Sequence, residues 1–102
     1  MTEKISLNLE LLERSSDMLK ALAHPLRIEI VNLLQNDEKM TVSQIQKHLN
    51  ITQSATSHHL GILKYNGIVT SQRDGKKMYY ELKHQRLSQV IKCIATCASE
   101  EK

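Results

Sequence analysis

Thr41-Val42-Ser43-Gln44-Ile45-Gln46-Lys47-His48-Leu49-Asn50-Ile51-Thr52-Gln53-Ser54-Ala55-Thr56-Ser57-His58-His59-Leu60-Gly61-Ile62-Leu63-Lys64-Tyr65-Asn66-Gly67 is the stretch that decides the fold. Its first four residues have the T-x-x-Q spacing of a capping box, which predicts a helix start. Val42, Ile45 and Leu49 then recur at helical spacing. Asn50-Ile51-Thr52 is a short connection, and Thr52 suits the cap of a second helix over 53–66. That helix is predicted to turn Ala55, His59, Leu60 and Leu63 inward and to stop at Asn66-Gly67, where glycine accepts a left-handed conformation. Two helices joined by a three-residue link make a helix-turn-helix. Most such pairs are structural packing, so the outward face of the second helix carries the information. Gln53, Ser54, Ser57, His58 and Lys64 lie there, and all can hydrogen-bond. Glutamine can pair with adenine in the major groove, serine can reach base edges or phosphates, and lysine suits a phosphate.

Working outward, residues 9–22 carry Leu11, Leu12, Met18, Leu19 and Leu22 on a helical stripe, with Asn8 as a cap and Glu10 and Glu13 in the favourable first turn. Pro25, the only proline, suits the first position of a further helix running to about Gln35. Apolar residues surround most of that helix, which predicts a central place in the core. Beyond Gly67 the period changes. Residues 68–73 and 76–82 are β-prone, and Asp74-Gly75 is a tight-turn pair. The resulting hairpin carries Arg73, Lys76 and Lys77 at its tip, where basic side chains can lie on a nucleic-acid backbone. A last helix over 87–98 aligns Leu87, Val90, Ile91, Ile94 and Ala98. The expected fold is mainly α with a small β-hairpin wing, in the order α-α-α-α-β-β-α, as one domain over residues 1–102 with a loose arm at 1–7.

The charge distribution agrees with this division. Residues 1–40 hold five basic and seven acidic side chains, residues 41–86 seven and two, and residues 87–102 two of each. No acidic residue occurs between Lys39 and Arg73. A basic middle flanked by neutral or acidic helices is the electrostatic pattern of a nucleic-acid-binding unit. No run approaches the roughly 20 apolar residues of a membrane span, and the first residues lack the pattern of a signal peptide, so a cytoplasmic protein is expected. With no Trp, no Phe and three Tyr, the core must be aliphatic.

Several motifs together resemble the ArsR/SmtB family of bacterial winged-helix repressors. They are Ala21-Leu22-Ala23-His24-Pro25-Leu26-Arg27-Ile28-Glu29-Ile30, Gln53 to Leu63, Asn66-Gly67-Ile68-Val69, and Asp74-Gly75-Lys76-Lys77-Met78-Tyr79-Tyr80. The resemblance covers residues 9–98. It implies a homodimer built from the first and last helices, a palindromic double-stranded DNA operator, and release when an inducer is sensed. On the family pattern Gln53, Ser54, Ser57 and His58 match the groove-reading positions, whereas Gly61 departs from the longer polar residue expected there. One family metal site needs a Cys-x-Cys in the third helix, which Val42-Ser43-Gln44-Ile45-Gln46 lacks. A second, between the final helices of two subunits, would map onto His84, Arg86, Cys97 and Glu100. Arg86 cannot ligate a metal, which leaves His84, Cys97 and Glu100 as a zinc set.

Cys93 and Cys97, four residues apart on the last helix, offer another sensing chemistry. Paired thiolates suit arsenite or a soft metal, and also a redox or persulfide switch. The bland reading makes both small packing residues at a dimer interface. Two other function classes fit the residues less well. An enzyme finds no support, because no glycine-rich phosphate loop, H-E-x-x-H or nucleophile motif is present. A winged-helix protein-interaction module without DNA binding remains as the alternative, but it has no need of so basic a middle segment.

Overall fold

The computed structural model describes residues 4–101 and is held together by helix caps that the local sequence supplies. Helix α1 spans Leu9–Leu22, and Asn8 caps it by accepting the Leu11 N–H. Helix α2 spans Pro25–Leu33, and His24 Nδ1 accepts the Leu26 N–H at 3.1 Å. The helix stops two residues before Gln35, because Asn36 and Asp37 adopt left-handed φ values of 61° and 60°. These residue types tolerate that region better than most. Met40–Thr41 then forms a short strand, β1. Thr41 also closes the full capping box of α3, Val42–Leu49, with Gln44 returning the bond to the Thr41 N–H. Helix α4, Gln53–Tyr65, follows, capped by Thr52. Strands β2, Val69–Asp74, and β3, Lys77–Leu82, form the hairpin, and α5 spans Leu87–Glu100.

Two differences from the sequence reading are physical. β1 pairs antiparallel with β3, Met40 opposite Tyr80 and Thr41 opposite Tyr79, so the sheet has three strands in the order β1-β3-β2. Two residues are too few to show a period, and the capping signal at Thr41 conceals the strand. Inside α4, Ala55 is only half-buried, whereas Thr56 is fully buried. Its hydroxyl donates to the Thr52 carbonyl at 2.9 Å, so the polar group enters the core already satisfied.

The core is aliphatic. Ile30, Val31, Leu34, Ile45, Leu60, Leu63, Ile68 and Val69 are shielded almost completely, and α2 lies among α1, α3, α4 and α5. Each fully buried side chain of this kind contributes about 1.5–3 kcal/mol. The terminal helices behave differently. In α1 only Ala21 and Leu22 are buried, and in α5 only Ile91. Leu9, Leu11, Leu12, Leu19, Val90 and Ile94 remain exposed. No helix among the described residues is long and apolar enough to cross a membrane.

Candidate nucleic-acid interface

Helices α3 and α4 meet across Asn50-Ile51-Thr52. Asn50 takes a left-handed conformation, φ 56°, and its N–H bonds to the Gln46 carbonyl, so the chain reverses within three residues. Packing of α4 on α1, α2, α3 and β2 buries Thr56, His59, Leu60 and Leu63. That fixes the helix's rotation and leaves Gln53, Ser54, Ser57, His58, Gly61 and Lys64 in solvent. The exposed face is thus uncharged or basic along its whole length.

The wing joins this face on one side. Gln53 lines an open groove with Thr41, Val42 and Ser43 from the start of α3 and Lys76, Lys77 and Met78 from the hairpin. Ser43 was not foreseen, because its relation to the wing depends on the β1–β3 pairing. Gly75, φ 69°, occupies the first of the two turn positions between Asp74 and Lys77, a place that suits glycine. The hairpin therefore turns tightly and sets both lysines beside α4. Arg73 does not join them. It lines a separate cleft with Lys39, Gln72, Asp74 and Tyr79, so the three cations expected at one tip are divided between two grooves. Lys64 is also held: its Nζ donates to Ser71 Oγ at 2.6 Å, tying the end of α4 to β2. Among the described residues the ion pair is Arg14–Glu10, so no cation of the α3–wing region is neutralised by a partner carboxylate.

The histidines divide by environment. His48 is exposed, His24 caps α2, and His59 is 8% exposed on the inner side of α4. Arg27 Nε donates to His59 Nδ1 at 3.2 Å, and Arg27 Nη1 donates to the Ala21 carbonyl at 3.2 Å. Burial, then the nearby His24, Arg27 and His58, lowers the His59 pKa from its ordinary 6.5. Nothing in the sequence marks this pair, whose members are 32 positions apart.

The sensing candidates lie elsewhere. Cys93 and Cys97 are free, exposed thiols on α5, and Cys93 lines a small apolar cleft with Arg86, Gln89, Val90 and Ile94. His84 opens instead toward Arg14, Asp17, Tyr65 and Lys83. About 15 Å of helix separates Leu87 from Cys97. One chain therefore does not bring His84 to Cys97 and Glu100, and no cluster of three His, Cys, Asp or Glu residues forms among the described residues.

A capped α3–turn–α4 unit, a core of flanking helices and a three-stranded basic wing define a winged helix-turn-helix protein. The model of the arsR family of bacterial regulatory proteins matches residues 24–71, from the α2 cap into β2. The chain is 34% identical to the transcriptional repressor SmtB of Mycobacterium tuberculosis, covering 90% of this chain and 67% of that one. It is 34% identical to the transcriptional repressor PagR of Bacillus anthracis, with 81% and 83% covered. The crystal structure of that PagR superposes with a TM-score of 0.76 over 85% of this chain and 99% of the other, at 31% identity. The homodimeric winged helix-turn-helix DNA-binding domain (fragment 1–100) from Mycobacterium bovis superposes with a TM-score of 0.81 at 25% identity, covering 99% and 93%. The chain belongs to the arsR family, whose members are regulators, and the enzyme reading is set aside.

Proposed function

We propose that the protein is a homodimeric transcriptional repressor that reads a palindromic operator in duplex DNA. The observation that carries this is the groove shared by Gln53 on α4 and Lys76 and Lys77 on the wing, continued by the carboxylate-free face of Ser54, Ser57 and His58. In this reading α4 enters the major groove, Gln53 and Ser57 meet base edges, and the lysines bind the flanking backbone. Two copies, joined through the exposed leucines of α1 and the apolar face of α5, would present two such helices to half-sites about one helical turn apart. The likeness to the transcriptional repressors SmtB and PagR, and the homodimeric state of the Mycobacterium bovis domain, support the reading.

Selection of bound duplexes from a random pool, with ultracentrifugation of the free protein, tests it. A palindromic motif and a dimer are expected. A monomer that enriches no motif but retains a protein partner would favour the interaction-module alternative.

Release of the operator is assigned to Cys93 and Cys97, which stand exposed on α5 beside Val90 and Ile94. Arsenite, a soft metal or an oxidised sulfur donor bound there would change how two copies of α5 meet. A coupling of about 1–3 kcal/mol is enough to release DNA. The double variant Cys93→Ser, Cys97→Ser should still bind the selected duplex but no longer release it. Release of both proteins by zinc would move the site to His84 and Glu100, with ligands drawn from two subunits.

A further inference from the structure

We propose that Arg27 and His59 are a positioning pair that sets the recognition helix against the rest of the fold, and that one proton on His59 undoes it. This rests on the DNA-reading role given to α4 above. The geometry is a chain of contacts. The Ala21 carbonyl, at the end of α1, accepts from Arg27 Nη1, and Arg27 Nε donates to His59 Nδ1 in the middle of α4. One guanidinium on α2 thus fixes both α1 and the recognition helix, using the fork geometry that lysine lacks. Because His59 Nδ1 accepts, the ring is neutral and its hydrogen is on Nε2.

Neither residue belongs to the reading face. His59 is 8% exposed and Arg27 is half-buried, so neither is placed to touch DNA. His59 nevertheless directly follows His58, which lies on that face, and their ring centroids are 5.9 Å apart. On its other side His59 meets His24, the α2 cap, at 4.7 Å between centroids. His59 shares the α4 backbone with Ser57 and His58, so how its ring is held bears on how that face is presented.

Protonation of Nδ1 removes the acceptor and sets a new positive charge against the guanidinium. The charged or titratable groups that act on His59 are His24 and Arg27 from α2 and its cap, and His58 from α4 itself. No charged group from α1, α3 or β2, which also pack on α4, is among them. All three neighbours are basic, so nothing nearby would stabilise the imidazolium. The sign follows. The folded pKa lies below 6.5, so the unfolded chain takes up the proton first, and the pair is intact above that pH. Stability falls as pH drops below 6.5, and helix placement is lost when pH passes the lower folded pKa. Ordinary phosphate binding has the opposite trend, because exposed histidines become cationic in acid and strengthen attraction to DNA.

The test uses the full chain and two probes, a duplex selected from a random pool at neutral pH and an unselected random duplex. Between about pH 7.5 and the pH at which the His59 ring has titrated in the folded protein, wild-type protein should lose about tenfold in affinity for the selected duplex while its binding to the random duplex holds or rises. His59→Asn places an amide oxygen where Nδ1 stands, so it can still accept from Arg27 but does not titrate, and its selectivity should be flat with pH. Arg27→Lys should lose about tenfold on the selected duplex already at neutral pH, with circular dichroism confirming that it is folded. A His59→Asn profile that follows the wild type would overturn the proposal, as would an Arg27→Lys variant with full selectivity. NMR titration of wild-type protein reads the pair independently of DNA and of either variant. The His59 ring and the backbone amides of α4 should titrate together, and α4 amides that stay still while His59 titrates overturn the proposal. If no duplex is enriched at any pH, the DNA reading fails, and the NMR titration still decides the pair.

Discussion

The helix-turn-helix and the terminal helices put their apolar residues to opposite uses. In α3 and α4, Ile45, Leu49, Leu60 and Leu63 are buried within the chain, and the outward side is left to Gln53, Ser54, Ser57, His58 and Lys64. In α1 and α5 most of the stripe faces outward: Leu19 is 62% exposed and Ile94 is 59% exposed. A polar, carboxylate-free surface suits a hydrated polyanion. An apolar surface on a small chain suits another apolar surface. The two faces therefore call for different partners, DNA for the middle of the chain and a second copy for its ends.

The sharpest way to test that contrast is to shorten one leucine of each kind. Leu63 is fully buried. Leu63→Ala should cost about 2–5 kcal/mol of folding stability, read by chemical denaturation. Leu19→Ala should cost little in the isolated fold, yet raise the monomer fraction on dilution in ultracentrifugation. If Leu19→Ala destabilises at every protein concentration as much as Leu63→Ala, α1 serves the core of one chain and the contrast is wrong.

Within the middle region, reader and clamp can be separated next. Gln53→Ala with Ser57→Ala should weaken binding to the selected duplex by about 1–3 kcal/mol per lost base contact, and affect the random duplex less. Lys76→Ala with Lys77→Ala should weaken both duplexes alike and flatten the salt dependence, since each phosphate contact releases counterions. Arg73, which shares its cleft with Lys39, Asp74 and Tyr79, should alter affinity without joining the effect of the lysine pair. A lysine-pair variant with a changed sequence preference would reverse the two roles.

How much of this was legible in the sequence follows from where the signals are local. The starts of α1 to α4 were readable, because Asn8, His24-Pro25, Thr41 with Gln44, and Thr52 act on residues two or three positions away, whereas α5 has no side-chain cap and showed only its apolar stripe. The hairpin was readable from Asp74-Gly75 and the change of period. What escaped depends on distant residues. β1 exists through its pairing with β3, forty positions on at Met40–Tyr80. Arg73 parts from Lys76 and Lys77 because the hairpin sets them against different neighbours. The Arg27–His59 bond joins two motifs that the sequence displays separately. Thr56, absent from the inward set read in the sequence, is buried with its hydroxyl satisfied by the Thr52 carbonyl.

The smallest expected effect sharpens the outward face itself. Gly61 is exposed in the interior of α4, without a positive φ, and a Cβ added there would meet nothing within 4 Å. Glycine at such a place costs about 1 kcal/mol relative to alanine, and the fold gains nothing from it. Gly61→Ala should therefore raise stability by about 1 kcal/mol in thermal or chemical denaturation. A residue the fold does not need points to a need outside the fold. Gly61 follows Ser54 and Ser57 along the exposed side of α4, where small side chains let a helix backbone come close to a surface. The added methyl should thus lower affinity for the selected duplex a few-fold while the protein becomes more stable, so that the two readouts move in opposite directions. If stability rises and affinity does not change, the glycine has no part in the interface, and close approach of α4 must be given up. If stability falls, the face is already occupied, and the division between a solvent-facing middle and partner-facing ends no longer holds at this position.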